Sequence, residues 1–238
     1  MSFFQTIFYQ PILNLFVELY NFIPDVGIVI LVITVLIKII LFPLTNKSIR
    51  AQQSLTALQP KLDEIKKQYK DNQQQLAQAT MKLYKEHKVN PFGSCLPLLI
   101  QLPIFLALFY VLRDGLAGDG LQSLYSFVKH PGSINPVSLR LFDLSERSIV
   151  LAVLAGAAQF WQAKMMQVKR PPTEAGTGGK DENMMAMMNK QMLYVMPVLT
   201  VVFGLQFPAG LAWYWFLSTL LTALQQLIVF RTSLKNNL

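Results

Sequence analysis

The sequence predicts an all-α polytopic membrane protein. Its expected parts are five transmembrane helices, a cytoplasmic helical hairpin and an N-terminal interfacial amphipathic helix. Three observations carry that expectation. The chain of 238 residues is 53% hydrophobic and 14% charged, against about 25% charged in ordinary soluble domains. Apolar runs of membrane-crossing length recur along it. Its lysines and arginines gather between those runs rather than spreading evenly, so the net charge of +8 reads as membrane topology and not as a nucleic-acid footprint.

Residues 1–23 repeat Ile12, Leu15, Phe16, Leu19, Phe22 and Ile23 at helical spacing. Asn14, Glu18 and Asn21 share another face, and Pro11 interrupts the run. That pattern suits a helix lying in the membrane interface better than a span. Pro24-Asp25 turns the chain into the first span, about 26–45, which is apolar except for Lys38. A run of ~20 apolar residues matches a hydrocarbon core ~30 Å thick at ~1.5 Å per residue.

Residues 46–92 are the only long polar section and hold nine basic residues. Leu55, Leu58, Leu62, Ile65 and Tyr69, then Leu76, Ala79, Leu83 and Tyr84, recur at spacings of three and four. Lys70-Asp71-Asn72 reads as a turn between them, and Pro60 kinks or restarts the first arm, giving a helical hairpin outside the bilayer. The remaining spans are expected at about 96–112, 149–167, 192–207 and 211–230. A loop over 113–147, a polar loop over 168–190 and a tight turn at Pro208-Ala209-Gly210 connect them, and 233–238 is a short basic tail. The core is thus 24–232.

With five spans, segments 46–92, 164–190 and 231–238 share one side and hold nine, five and two basic residues. The other side holds Arg113, Lys129, Arg140 and Arg147. The positive-inside rule then puts the N-terminus outside and the C-terminus in the cytoplasm. One cysteine, Cys95, excludes an intramolecular disulfide framework. No cleavable signal or lipoprotein cysteine is expected.

Enzyme patterns fail. Gly176-Thr177-Gly178-Gly179-Lys180 lacks the spacing of a phosphate-binding loop, because Glu174 and Asp181 stand where Gly and Ser or Thr are needed; it reads as a flexible linker. His87 and His130 fall on opposite sides of the membrane, and no zinc or nucleophile constellation exists. No cofactor is expected. The predicted spans contain no Asp or Glu, which excludes a carboxylate proton relay.

The spans instead carry neutral polarity in stripes. Tyr214, Ser218, Thr222 and Gln225 fall within about 80° at 100° per residue. Trp215, Thr219 and Gln226 form an adjacent stripe, Thr34 lies one turn before Lys38, and Gln101, Gln159 and Gln162 add to these. Interhelical hydrogen bonding explains such residues singly. Together with a lysine that has no intramembrane acid to pair, they favour a hydrated cavity or groove. Lys38 either snorkels to the membrane edge, pairs structurally, or faces something wet. Met165, Met166, Met184, Met185, Met187, Met188, Met192 and Met196 cluster near the cytoplasmic ends of the third and fourth spans. They serve as gap-filling anchors or as an adaptable sliding surface. Lys61, Lys66, Lys67, Lys82 and Lys85 make the hairpin basic, either as a solvated face or as a surface for anionic headgroups or ribosomal RNA.

LQPKLDEIKKQYK, MKLYKEHKVNPFGSCLPLLIQLPIFLALFYVL and FPAGLAWYWFLSTLLTALQQLIVFR together resemble the YidC-type membrane protein insertases of bacteria and organelles. The resemblance covers roughly 24–232. It implies a five-helix core around a hydrophilic groove, open to the cytoplasm and to lipid and closed on the outer side. It further implies a basic residue in the first span that attracts acidic outer segments of substrates. Lys38 stands where the family usually has arginine, which keeps the charge and loses the planar fork. Ala163 stands where family members often have glutamine, and Gln162 or Gln159 substitutes for it. The large extracytoplasmic domain and long basic tail of some members are not expected here.

The function so implied is insertion and chaperoning of nascent membrane proteins without nucleotide hydrolysis, with catalytic residues absent. The implied partners are nascent membrane proteins, the lipid bilayer, and the ribosome, signal recognition particle pathway and Sec translocon, with no DNA. Competing readings are a small transporter or channel for an anionic solute, and an assembly chaperone that does not translocate.

Overall fold

The computed structural model describes residues 3–70, 72–90, 96–117, 119–165 and 191–235. It is mostly helical. A short π-helical turn over Gln5–Tyr9 leads into α1 (Gln10–Phe22), followed by α2 (Val26–Ala57), α3 (Gln59–Gln68), α4 (Gln73–Glu86) and α5 (Leu96–Ala117). A 3-10 turn (Asp119–Ser123) and a two-stranded antiparallel ladder, β1 (Val137–Ser138) and β2 (Phe142–Asp143), precede α6 (Ile149–Met165). A π-helical turn (Gln191–Val195) then runs into α7 (Met196–Gly204), and α8 (Ala209–Lys235) ends the described chain. Among the described residues, two helices are by length and composition long and apolar enough to cross a membrane: Val26–Ala57 and, within α8, Ala209–Arg231. Ile149–Met165 and Leu193–Gly204 are shorter apolar helices.

Each element follows from local chemistry. Asp25 caps α2, its Oδ1 accepting from Ile28 N–H at 3.1 Å, as a side-chain oxygen at a helix N-cap should. α2 runs twelve residues past Thr45, through Pro43, so the first part of the expected hairpin section is a rigid continuation of the first apolar helix. α2 ends where Pro60 opens α3: proline suits the first helical turn, where the missing N–H would be unpaired anyway. Asn72 caps α4 by accepting from Gln75 N–H at 3.0 Å, and Asp71 lies outside the described residues. α8 starts at Ala209, so the expected turn at Pro208-Ala209-Gly210 falls instead on Leu205–Pro208. α7 stops at Gly204, short of Phe207.

The expected loop over 113–147 is more ordered than its glycines and prolines implied. It carries the 3-10 turn and the β1–β2 ladder and packs against α1. The buried face of α1, packed against this segment, α2 and α5, is Leu13, Phe16, Val17 and Tyr20, with Leu15 and Phe22 exposed. Asn14, read from the sequence as solvent-facing, is buried: its Oδ1 accepts from Tyr125 N–H at 2.6 Å. Tyr20 Oη accepts from Asn135 N–H at 2.8 Å, and Asn21 Nδ2 donates to Lys129 O at 2.8 Å. The first two of these bonds satisfy part-buried loop N–H groups that would otherwise be unpaired, and the third ties the loop to the exposed edge of α1.

One end of the bundle gathers the start of α2, the β1–β2 ladder and the start of α8. Ala209 N–H donates to Glu146 O and Gly210 N–H to Leu144 O, at 2.6 and 2.9 Å. The core beneath joins α1, α2, α5 and α8 through Leu13, Phe16, Ile30, Ile33, Leu108, Leu112, Leu211 and Leu217. α6, α7 and α8 pack closely because small residues line the contact. A Cβ on Gly156 would come within 2.4 Å of Val201 Cγ2 and 3.0 Å of Pro197 O. Close backbone approach through small residues is the usual way helices associate in lipid. Gly156→Val should therefore force α6 and α7 apart and cost about 1–3 kcal/mol, read as a lower midpoint of thermal unfolding in detergent.

Candidate functional site

The polar span residues singled out by the sequence lie on α2, α5, α6 and α8, and most of them form three hydrogen-bonded groups. At the first, Lys38 is half-buried on α2 and donates from Nζ to Thr222 Oγ1 on α8 at 2.8 Å. Thr222 Oγ1 in turn donates to Ser218 O, one turn back, at 2.8 Å. One turn further on, Gln225 Nε2 donates to Phe42 O at 3.2 Å. Thus α2 and α8 are tied at two levels, and the spacing Ser218, Thr222, Gln225 is what places these groups on one face of α8. Among the described residues Lys38 makes no ion pair. An ammonium has three donors, and Thr222 takes one of them.

The second group is deeper. Tyr214 is 1% exposed and belongs to the hydrophobic core. Its hydroxyl accepts from Gln101 Nε2 on α5 and is hydrogen-bonded to Ser218. A phenol with its ring buried and its hydroxyl paired is the usual form of an interior tyrosine. Thr34 is also buried, and donates to Ile30 O at 2.6 Å on its own helix. Thr34 and Tyr214 therefore belong to the packed interior rather than to an open surface. The third group lies toward α6: Trp215 Nε1 is 3.4 Å from Gln159 Oε1, and the Trp215 ring meets Phe105 edge-on at 5.3 Å. Gln162 is half-buried one turn further along α6. Thr219 and Gln226 are buried, and Gln226 Oε1 has no hydrogen-bond partner.

Of the basic residues in the α3–α4 region, Lys61, Lys67, Lys82 and Lys85 are exposed and Lys66 is half-buried. Lys61 Nζ lies 2.9 Å from His87 Nε2, and His87 Nδ1 lies 3.0 Å from Leu83 O. The second contact requires Nδ1 to carry the proton, which leaves Nε2 free to accept from Lys61. Lys82 and Glu86 form an i, i+4 pair at 4.0 Å. Met166, Met184, Met185, Met187 and Met188 and the Gly176–Lys180 stretch lie outside the described residues. Among the described residues, no group of three or more His, Cys, Asp or Glu side chains is placed to hold a metal.

The feature least visible in the sequence lies at the other end of α2. Besides capping the helix, Asp25 Oδ1 accepts from Ser138 Oγ at 2.6 Å, and Oδ2 accepts from Leu139 N–H at 2.7 Å. Trp213 Nε1 on α8 donates to Gly27 O at 3.0 Å, one turn inside. Burial pushes the Asp25 carboxyl up. The N–H of Leu139, the Ser138 hydroxyl and the N–H groups of Ile28 and Gly27 outweigh burial and hold the carboxyl below its ordinary value of 3.8. An aspartate before an apolar run signals the cap; nothing local signals a partner 113 residues away.

Apolar helices that bond lysine, hydroxyl, phenol and amide groups to one another define a helical membrane protein with polar ties between its helices. Residues 18–236 match the family described as 60Kd inner membrane protein, and the chain belongs to this family, the YidC-type membrane protein insertases. Among curated relatives, a membrane protein insertase YidC of Fusobacterium nucleatum subsp. nucleatum is 38% identical over 211 residues, covering 89% of each chain. Proteins of that name from Syntrophus aciditrophicus and Geobacter sp. (strain M21) are 36% and 32% identical over 91% and 94% of this chain. The chain spans 35% and 37% of their lengths. A crystal structure of active YidC insertase with its first transmembrane domain resolved is similar with a TM-score of 0.59 at 25% identity. That similarity covers 94% of this chain and 46% of the other.

Proposed function

We propose that this chain inserts nascent membrane proteins into the bilayer and helps them fold, through a hydrophilic groove formed by five spans and open to the cytoplasm and to lipid. The observation that carries this reading is Lys38: a cation within an apolar helix, held by a neutral hydroxyl and not by a carboxylate. A lone charge at such a depth costs ~2.5–3.5 kcal/mol or more, so its retention without an acid partner points to an acid supplied from outside the protein. An acidic segment ahead of a substrate helix fits. Lys38 neutralises that segment transiently, and Thr222 and Gln225 lower the desolvation cost of its passage. The substrate helix then partitions sideways into lipid, and burial of its apolar surface drives the step without nucleotide hydrolysis.

In the same reading the short α7, ~14 Å long by its nine residues, thins the bilayer locally with its π-helical lead-in and shortens the distance to be crossed. α3 and α4 form the cytoplasmic hairpin. Their exposed lysines receive substrates, or ribosomes and targeting factors carrying them. The N-terminus lies outside and the C-terminus in the cytoplasm.

The experiment is reconstitution of the purified chain in lipid vesicles, supplied with a single-span substrate bearing a short acidic outer tail. Protection of the tail from added protease is the expected result. Flux of an anionic solute without tail protection would instead make the protein a transporter. Binding of the substrate without tail protection would make it a chaperone only.

A further inference from the structure

The turn between β1 and β2 is built from residues poorly suited to its shape. Leu141 N–H donates to Ser138 O at 3.0 Å, and the two central residues, Leu139 and Arg140, have φ of 50° and 59°. Turns with positive φ at both centres are normally made of Asn and Gly, because a Cβ is crowded there. A bulky side chain held in that region is strained, and strain of this kind clusters at functional sites. What the turn presents is an apolar tip divided by one cation: Leu139 is 57% exposed, Leu141 is 74% exposed, and Arg140 lies between them.

The depth of this tip is fixed. Leu139 N–H and the Ser138 hydroxyl are both held by Asp25, and the next residue, Val26, is the first of α2. The tip is therefore tied to the point where the chain changes from polar to apolar. If α2 spans the bilayer, as the proposed function requires, that point is the boundary between headgroups and acyl chains. Apolar side chains flanking a cation at that level suit an interfacial anchor: the leucines enter the acyl region and the guanidinium pairs with phosphate.

We propose that Leu139-Arg140-Leu141 is a lipid anchor, inserted into the leaflet at that end of the bundle and paired through Arg140 with lipid phosphate. Through Asp25 it sets the depth at which α2 enters the membrane.

The test uses the full chain in a Cys95→Ser background, in vesicles of phosphatidylethanolamine and phosphatidylglycerol containing lipids with a nitroxide on the acyl chain. An environment-sensitive fluorophore is placed singly at Leu141→Cys, at Ser133→Cys in the same segment, or at Ile40→Cys on the exposed face of α2. The anchor predicts blue-shifted, quenched emission at 141 and 40 and unquenched emission at 133. Adding Arg140→Glu should reduce quenching at 141. The pair Leu139→Asn with Arg140→Gly, which suits the turn, should leave thermal unfolding unchanged or raised and still reduce quenching at 141. Quenching at 40 with position 141 behaving like 133 would overturn the anchor and leave the span standing. Equal quenching at 133 and 141 would also overturn it, since the tip would then be no deeper than its surroundings. Absence of quenching at 40 would overturn the span and the anchor together.

Discussion

Lys38→Ala is expected to lower the insertion rate of an acidic-tailed, single-span substrate by roughly 30-fold, with Lys38→Arg close to the parent. Removing one partner of a desolvated charge pair costs at least ~2 kcal/mol, and each ~1.4 kcal/mol of barrier is a factor of ten in rate. Lys38 donates to Thr222 Oγ1, a neutral acceptor, so its loss strands no carboxylate among the described residues. Alanine should therefore fold as well as the parent, and the defect should appear in insertion and not in yield or thermal midpoint. Arginine keeps the charge and adds a planar fork that suits a carboxylate. Insertion by the alanine variant at the parent rate would remove the charge from the mechanism.

The second large effect is expected at Asp25. Asp25→Ala removes the cap of α2 and the two bonds that hold Ser138 and Leu139. A cap is worth about 1 kcal/mol and a hydrogen bond to a charged group roughly 1.5–3 kcal/mol. Asp25 is half exposed to solvent, so we expect a combined loss of about 2–3 kcal/mol, read from thermal unfolding in detergent. Protease added on that side should also cut the 119–147 segment faster. Because the folded carboxyl lies below 3.8, its contribution is complete above that value and is lost as pH falls through the lower, folded value. The parent should therefore lose the part of this stability that depends on the ionised carboxylate only below about pH 4, and Asp25→Ala should show no such step. A step of equal size in the variant would assign the acid sensitivity to another group.

These two sites mark where the sequence is legible and where it is not. Lys38 and the α8 stripe are readable because helical spacing alone puts Ser218, Thr222 and Gln225 on one face, and a charge inside an apolar run stands out against its neighbours. The long apolar helices are readable for the same reason. The bounds are less so: α2 continues past its apolar run to Ala57, since nothing in Asn46–Thr56 breaks a helix until Pro60 approaches. Polarity also misleads where its partner is distant. Asn14 looks like a water-facing residue on an amphipathic helix, yet it is buried because Tyr125 N–H needs an acceptor. Tyr214 shares a stripe with Ser218, Thr222 and Gln225 by angle, and Thr34 lies one turn before Lys38, but angle does not report burial, and both lie in the interior. The Asp25 latch and the strained turn depend on two segments more than a hundred residues apart, which no local pattern encodes.

The most direct measurement of the central claim couples residue 38 to the substrate's charge. Insertion rates into vesicles are compared for the parent and Lys38→Ala, each with an acidic-tailed substrate and with the same substrate carrying amides in place of the acids. Such a cycle isolates the interaction between the two sites from their separate effects. The account predicts that alanine slows the acidic substrate roughly 30-fold, for a coupling of ~2 kcal/mol, and changes the neutral one little. Equal slowing of both substrates, with no coupling, would contradict charge capture by Lys38.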